Sequence, residues 1–328
     1  MQNEVNRLRE ISRPIEQDLL NYRKVFEAAL THPNPQLNLI FGEMKQRSGK
    51  QMRPMLLLLS ARALGRPNDR SYLAAVMLEL LHTASLVHDD IVDRADERRG
   101  MASVNAKYGS NTAVLVGDFL LSSALEHAAK TKDLRIVDYI ADLGKRLSSG
   151  EIIQLSKTTE EALTQEAYYE VIGLKTASLF AAATELGAIT VGASMPAVER
   201  MRKLGEIIGI CFQIKDDLLD FCGTPELGKP CGRDLVEGKL TLPLLLALKQ
   251  HGNEHWTLLA SKAREQKATP EEIASLVDFM KENGGVEATC AVLADLSAQA
   301  LKICETIGDE DVRCAIESYI AYVAERNF

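Results

Sequence analysis

The sequence lacks the features of several protein classes. Its six cysteines form no Cys-x-x-Cys pair and no cluster with histidine, so we expect no zinc site and reduced thiols in a cytoplasmic protein. The N-terminus is polar, and the longest concentrated apolar stretch, Met55 to Leu64, is far shorter than a membrane span, so we expect no signal peptide and no integral membrane segment. A net charge of −8 argues against nucleic acid as a partner, because surfaces that bind nucleic acid are normally basic.

Alternating β-branched residues of the kind that form sheets are also missing. Apolar residues instead recur at helical spacing from Val5 to Phe328, and glycines and prolines interrupt them where helices should end. There is no linker rich in Ser, Pro or Gly and no repeat of fixed period. We therefore predict an all-α fold of roughly a dozen helices at typical lengths, with residues 1–328 forming a single domain.

Two apolar helices are predicted to end in the same carboxylate pattern, Asp-Asp-x-x-Asp. Residues three and four apart share a helix face, where like charges repel, and carboxylates near a helix C-terminus also oppose its dipole. A bound cation offsets both costs, and oxygen ligands with room for water and phosphates are typical of Mg²⁺ sites. A single copy is more simply a solvated helix end, whereas two copies favour a metal site. They are Asp89, Asp90 and Asp93, and then Asp216, Asp217 and Asp220.

Basic residues accompany both clusters. Arg98 and Arg99 follow the first cluster in a predicted loop, where paired guanidinium groups can hold diphosphate oxygens. Two more cations, Lys50 and Arg53, lie at the start of another predicted helix, whose first turn tolerates Pro54. The N-terminus of a helix favours a bound anion. Each cation alone is most simply a surface residue, but their grouping around the acidic clusters indicates an anionic substrate. The remaining cations of this group are Lys175, Lys229 and Lys239.

Several motifs occur in a fixed order along nearly the whole chain. They are Gly49-Lys50-Gln51-Met52-Arg53-Pro54, Leu81-His82 to Arg99-Gly100, Gly117-Asp118-Phe119-Leu120, Gly150-Glu151, Lys175-Thr176, Gln213 to Asp220, and Gly228-Lys229-Pro230 to Leu242-Pro243. This ordered set resembles the trans-polyprenyl diphosphate synthases, in particular the long-chain, octaprenyl diphosphate synthase-like type.

The resemblance implies a single domain of antiparallel helices around a central cavity, usually present as a homodimer. It implies isopentenyl diphosphate and an allylic prenyl diphosphate as substrates, and Mg²⁺, three ions with substrate bound, as the cofactor. The implied metal ligands are the six aspartates, which together with Lys175 are the implied catalytic residues. Contacts to the allylic substrate are assigned to Arg98, Lys175, Thr176, Gln213, Lys229 and Lys239. Contacts to isopentenyl diphosphate are assigned to Lys50, Arg53, His82 and Arg99.

This set of groups suits one reaction. Metals and cations neutralise the departing diphosphate, which allows the allylic C–O bond to ionise. The double bond of isopentenyl diphosphate, held at its own basic site, then attacks the carbocation. Loss of a proton completes one elongation, and no catalytic Ser, Cys or His is needed.

Product length depends on how far the prenyl chain can grow along the helix that ends in the first cluster. Ala84 and Ser85 occupy positions where short-chain members of the family often have a bulky aromatic residue. Because both residues are small, we expect the product to exceed the farnesyl length. Each further helical turn deepens such a channel by about 5.4 Å, close to one isoprene unit.

Three other classes of protein share parts of this pattern. A class I terpene cyclase also binds Mg²⁺ through an aspartate cluster, but it usually has an Asn/Ser/Glu pattern in place of the second one. A di-iron bundle needs two Glu-x-x-His motifs, and only one, Glu79 to His82, is present. A non-catalytic subunit of a heteromeric prenyl synthase would have damaged motifs, whereas the motifs here are intact.

Overall fold

The structure, a computed structural model, describes residues 2–46, 49–98, 100–156, 161, 163–221 and 232–326. These residues are almost entirely helical, which confirms the all-α prediction. The sheet that they contain is a single two-stranded antiparallel hairpin, β1 (Glu97–Arg98) and β2 (Met101–Ala102), with Arg98 opposite Met101. The hairpin turns at Gly100, whose φ of 73° lies in the left-handed region that glycine adopts without strain.

The helices follow one another closely along the chain. Through the first half they are α1 Gln2–Ser12, a 3₁₀ turn Arg13–Ile15, α2 Glu16–Ala29, α3 Pro35–Gln46, α4 Met52–Leu64, α5 Asp69–Val92, α6 Val104–Tyr108, α7 Ser110–Lys130 and α8 Leu134–Ser156. Then come α9 Gln165–Ile172, a π-helical turn Gly173–Ala177, α10 Ser178–Thr190, α11 Met195–Phe221, α12 Arg233–Val236, α13 Leu242–His251, α14 Glu254–Arg264, α15 Pro270–Glu282, α16 Gly285–Cys304 and α17 Glu310–Glu325. The described residues hold more helices than the dozen or so predicted, in part because the short helices α6 and α12 were not anticipated.

Helix ends follow the predicted punctuation. Helix α4 begins at Met52 with Pro54 in its first turn, and it stops before Gly65. Helix α5 is then started by Asn68, whose side chain accepts a hydrogen bond from Arg70 N and thereby satisfies a backbone N–H that the first turn leaves without a partner. Both helices that were predicted to end in aspartates do so.

The first compact unit comprises Met1–Leu147, Leu179–Gly205 and Thr306–Ile316. Its centre is helix α5, which packs against α7, α4 and α2. Helix α4 is buried on all sides in its middle turns, with Leu56, Leu57, Leu58 and Leu59 inaccessible to solvent. Burial of such an apolar helix accounts for its all-round hydrophobic sequence.

The second compact unit comprises Ser148–Ser178, Glu206–Glu305 and Glu317–Phe328. Helix α13 packs against α9, α15 and α16, and α14 packs against α12 and α15. The apolar face of α13, with Leu242, Leu244 and Leu245, is buried. The prediction of a single domain covering residues 1–328 stays a prediction.

One helical stretch of the described residues, Gln165–Thr190, is long and apolar enough to span a membrane. Within its most apolar window, 78% is buried inside the protein. Burial of this kind is typical of a core helix, so the stretch is weak evidence for a membrane span.

Candidate active site

The first aspartate cluster lies at the C-terminal end of α5, in the first unit. Asp89 is half-buried, Asp90 is buried and Asp93 is exposed, so the three carboxylates have different surroundings. Arg98 Nε, on strand β1, donates to Asp90 Oδ1 at 2.6 Å. Ser103 fixes the base of the hairpin by donating to Ala95 O at 2.7 Å. The β-hairpin thus turns Arg98 back onto the cluster, as the prediction of a nearby guanidinium group requires.

Two of the residues assigned to isopentenyl diphosphate contact each other in the same unit. Arg53 Nη1 donates to His82 Nε2 at 2.9 Å, and the Arg53 guanidinium also lies 4.9 Å from the centre of the Phe180 ring. Lys50 forms an ion pair with Glu4. Residue Arg99 lies outside the described residues.

A cavity of about 80 Å³ connects these two groups of residues within the first unit. Its polar lining includes Glu79, His82, Asp90 and Arg98, and its apolar lining comes from α2, α3, α5 and α6. The cavity therefore places a residue assigned to isopentenyl diphosphate beside one member of the first aspartate cluster. Such a mixture of apolar walls and a few charged groups is typical of a ligand site.

The positions assigned to product length have different surroundings. Ala84 is buried in α5, whereas Ser85 is half-buried and donates to His82 O at 2.9 Å. Neither residue lines the cavity that contains Asp90.

The second aspartate cluster ends α11, in the second unit. Asp216 accepts a hydrogen bond from Arg326 Nη2 at 2.5 Å, and Asp220 Oδ2 accepts one from the backbone N–H of Asp234 at 3.1 Å. Asp217 is only 2% exposed, and its two oxygens accept hydrogen bonds from Tyr168 and Gln213. The middle aspartate is thus the buried member of both clusters.

Burial and crowding of carboxylates shift the acidities in this unit. Burial, together with the nearby charges of Asp234 and Asp216, raises the pKa of Asp217 to about 7, although the hydrogen bonds from Tyr168 and Gln213 lower it. Burial together with Asp220 raises the pKa of Asp234 to about 6. Burial also raises the pKa of Tyr168 well above its ordinary value, so its phenol remains a hydrogen-bond donor. A cation placed here would favour the ionised carboxylates.

A cavity of about 190 Å³ lies beside this cluster, within the second unit. Four residues predicted to contact the allylic substrate line it, as does Asp217; the four are Lys175, Thr176, Gln213 and Lys239. Lys175 Nζ is 2.6 Å from Glu151 Oε1, and Lys239 Nζ is 2.6 Å from Glu237 Oε2. Lys229, which was also predicted to contact the allylic substrate, lies outside the described residues.

Sequence reasoning missed three titratable residues that line this cavity. Tyr168 lies seven residues before Lys175, a helical spacing that could have indicated a shared face. Asp234 lies inside the motif that ends at Pro243 and could have been recognised as an extra carboxylate. Arg264, from the end of α14, has no local signal, because it reaches the cavity only through the fold.

No group of three His, Cys, Asp or Glu side chains in the described ranges converges as a ready-made metal cage. Mg²⁺ is usually bound through one or two carboxylates together with water and substrate phosphates, so such a cage is not required. The buried carboxylates around Asp217, with pKa values raised by burial and by one another, fit a cation that arrives with its substrate.

Comparisons with known proteins agree with this geometry. The polyprenyl synthetase family model matches residues 34–280. Octaprenyl diphosphate synthase of Haemophilus influenzae is 33% identical over 320 residues, 97% of each chain. Geranylgeranyl pyrophosphate synthase of Bacteroides thetaiotaomicron is 38% identical, with a TM-score of 0.86 over 98% of this chain and 100% of that one. A polyprenyl synthase of Caulobacter crescentus, complexed with calcium and isoprenyl diphosphate, is 31% identical, with a TM-score of 0.88 over 98% of each chain. This chain therefore belongs to the polyprenyl synthetase family and is a prenyltransferase.

Proposed function

We propose that this enzyme condenses isopentenyl diphosphate head to tail with an allylic prenyl diphosphate to give an all-trans, long-chain polyprenyl diphosphate. The observation that carries the proposal is the cavity of the second unit, which combines the buried Asp217 with Lys175 and Lys239. A diphosphate needs both cations and a metal held by carboxylates, and this cavity offers both types of group. The known activities of the relatives, octaprenyl and geranylgeranyl synthesis, support the same reaction.

We assign Mg²⁺ to the two aspartate clusters, with three ions bound when substrate is present. The relative complexed with calcium supports a divalent cation in this family. When bound, Mg²⁺ supplies Lewis-acid stabilisation of the negative charge on the leaving diphosphate. The assigned ligands are Asp89, Asp90, Asp93, Asp216, Asp217 and Asp220.

The lysines of the second unit hold the diphosphate of the allylic substrate. An ammonium group has three donors, so Lys175 can keep its contact to Glu151 and still donate to a diphosphate oxygen. The apolar side chains of Val171, Ile172 and Leu240 line the same cavity and exclude water from an allylic cation. The other groups assigned to this substrate are Arg98, Thr176, Gln213, Lys229 and Lys239.

The first unit holds the second substrate. Arg53 and His82 are fixed to each other, which orients the guanidinium group for a diphosphate. Lys50 and Arg99 are assigned to the same diphosphate. Positioning of this kind is the main contribution that the chain can make to a step between two bound substrates.

Product length is assigned to Ala84 and Ser85. Their small side chains leave the turn of α5 that precedes Asp89 without a bulky barrier, so we expect products beyond farnesyl length. The relatives named above make products of this kind, as their names state.

A homodimer in the cytoplasm is the proposed working form. Helix α7 exposes three apolar side chains on its outer side, Val114, Leu115 and Leu125, and Leu115 is 68% exposed. Exposed apolar side chains such as these are consistent with a surface that a partner covers.

The direct test supplies labelled isopentenyl diphosphate and Mg²⁺ with dimethylallyl, geranyl or farnesyl diphosphate, and sizes the products after the diphosphate has been removed. The proposal predicts linear products longer than farnesol. A cyclic hydrocarbon formed from one primer without incorporation of label would indicate a terpene cyclase. Binding of isopentenyl diphosphate without turnover would indicate a non-catalytic subunit. Products that stop at farnesol would overturn the assignment of Ala84 and Ser85.

A further inference from the structure

Tyr168 belongs to none of the motifs from which the activity was inferred, yet it contacts the buried member of the second cluster. Its hydroxyl donates to Asp217 Oδ2 at 2.6 Å. The other oxygen of the same carboxylate accepts a hydrogen bond from Gln213 Nε2 at 2.8 Å. Gln213 Oε1 in turn accepts a hydrogen bond from Thr176 Oγ1 at 2.8 Å. These residues form a continuous polar chain, Tyr168–Asp217–Gln213–Thr176, within the second unit.

Local structure explains how Tyr168 reaches this position. Six residues of this segment line the cavity in adjacent pairs that recur every four residues, as on one helical face, and they are Ala167, Tyr168, Val171, Ile172, Lys175 and Thr176. Helix α9 carries Tyr168, and the π-helical turn that follows carries Lys175 and Thr176. π-Helical turns are frequent at functional sites. The same segment therefore presents two substrate-binding residues and the phenol that contacts Asp217.

Geometry fixes the Asp217 carboxylate in one orientation. The group is buried, and its two donors approach different oxygens, so loss of either donor leaves one oxygen without its protein partner. Each carboxylate oxygen can accept more than one bond, so both remain able to contact a cation or a water bound to it. Without the Tyr168 hydroxyl, the carboxylate would rotate about its one remaining donor and would displace the Gln213 amide.

We propose that Tyr168 is a positioning residue: its hydroxyl orients Asp217, and through Asp217 also Gln213, for the metal-bound diphosphate of the allylic substrate. This inference rests on the proposed function, because it assigns Asp217 and Gln213 to that substrate. Partners of this type, one step removed from the metal, typically contribute 10–100-fold to metal affinity or activity.

Substitution of Tyr168 by Phe removes the hydroxyl and leaves the ring, so it tests the proposal directly. We expect Mg²⁺ binding, measured by isothermal titration calorimetry with inorganic diphosphate present, to weaken by about 10–100-fold. The KM for the allylic substrate should rise, whereas the KM for isopentenyl diphosphate should stay unchanged. Tyr169→Phe is the matched control, because Tyr169 is the adjacent tyrosine of the same helix, packs against the Tyr168 ring and does not line the cavity.

A double-mutant comparison separates positioning from general stability. If Tyr168 acts through Asp217, the effect of Tyr168→Phe on Mg²⁺ binding should disappear in an Asp217→Asn background. An undiminished effect in that background would overturn the proposal. The proposal would also be overturned if Tyr168→Phe melted at a lower temperature than the wild type but bound Mg²⁺ and diphosphate with unchanged affinity.

Failure of the proposed function and failure of the role of Tyr168 would give different results in these measurements. Calorimetry with inorganic diphosphate requires no turnover, so it tests Tyr168 even if the wild-type enzyme condenses no isopentenyl diphosphate. Normal condensation by the wild type together with unchanged binding by Tyr168→Phe would retain the proposed function and remove only the role of Tyr168.

Discussion

At the scale of single residues, the three aspartates of each cluster have different surroundings. The sequence pattern treats them alike, but Asp90 and Asp217 are buried while Asp93 is exposed. The clusters and their cations could be predicted because the spacing is local. The contact of Tyr168 with Asp217 could not be predicted, because the two residues are 49 positions apart and meet only in the folded chain.

The raised pKa of Asp217 predicts how stability depends on pH when no metal is bound. Its folded pKa of about 7 lies above the value of about 3.9 expected in an unfolded chain. Between these values the folded state binds more protons than the unfolded state, so the free energy of unfolding should fall as pH rises from about 4 to about 7. Asp216, Asp234 and the Tyr168 phenol face this group.

Urea unfolding in EDTA at several pH values measures this effect. Asp217→Asn should remove it, so the difference in free energy of unfolding between variant and wild type should grow in favour of the variant as pH rises towards 7. A difference that is constant across this range would contradict the assignment.

At the scale of helices, glycine and proline predicted several boundaries correctly, because they act locally: α4 ends before Gly65, and α7 begins after Gly109. The π-helical turn at Gly173–Ala177 and the β-hairpin after α5 were not predicted. Both depend on hydrogen bonds and packing that form only in the folded chain. The consequence matters for function, because these two elements carry Lys175, Thr176 and Arg98.

Close packing of α4 against α10, both in the first unit, predicts the effect of one glycine substitution. A Cβ atom on Gly187 would lie 2.4 Å from Leu57 O and 2.8 Å from Ser60 Cβ. Because a backbone atom cannot move aside cheaply, Gly187→Ala should lower the free energy of unfolding by about 1–3 kcal/mol in urea titrations.

Gly144→Ala is the control for this substitution. Nothing lies within 4 Å of a Cβ at Gly144, which is in the middle of α8. Alanine is the better helix former by about 1 kcal/mol, so this variant should be as stable as the wild type or more stable. Equal stability of both variants would contradict the close approach of α4 and α10.

Arg264 holds the loop that carries Lys239 in place through two hydrogen bonds. Its guanidinium donates to Gly238 O at 3.2 Å and to Gln154 O at 2.7 Å, so it ties the loop to the end of α8. Arg264→Ala should free the loop and raise the KM for the allylic substrate, by about tenfold if one charged hydrogen bond is lost. Steady-state kinetics with each substrate varied in turn measures this.

Lys267→Ala is the control, because Lys267 is exposed and pairs with Glu265 at the surface. Lys267→Ala should have the same KM for each substrate as the wild type. An equal rise in the KM of both substrates for Arg264→Ala would point to general loosening and would contradict a role specific to the loop.

At the scale of the whole molecule, the family and the reaction were predictable from the order of motifs, whereas the grouping into two compact units was not. Each unit is assembled from three segments that are distant in sequence. No change in composition marks their boundaries, since helices of both units bury similar apolar faces. Contacts between distant segments, which define the units, appear only in the structure.

Product length is a property of the whole enzyme that one residue can test. Ala84 is buried with 2% exposure, and on the proposed assignment a phenylalanine there would occupy space that the growing chain uses. Ala84→Phe should therefore shorten the main product, measured by sizing the dephosphorylated prenols. Ser85→Ala keeps a small residue at the neighbouring position and should leave the distribution unchanged. An unchanged distribution in a folded Ala84→Phe enzyme would exclude this position from the control of length.

The central proposal is that the condensation depends on Mg²⁺ and on both aspartate clusters. The most direct test measures incorporation of labelled isopentenyl diphosphate against Mg²⁺ concentration for the wild type, Asp89→Asn and Asp216→Asn. The account predicts activity that EDTA abolishes, and a loss of at least about 100-fold in each variant, because each removes a carboxylate that stabilises the departing charge. A wild-type rate in either variant would contradict it.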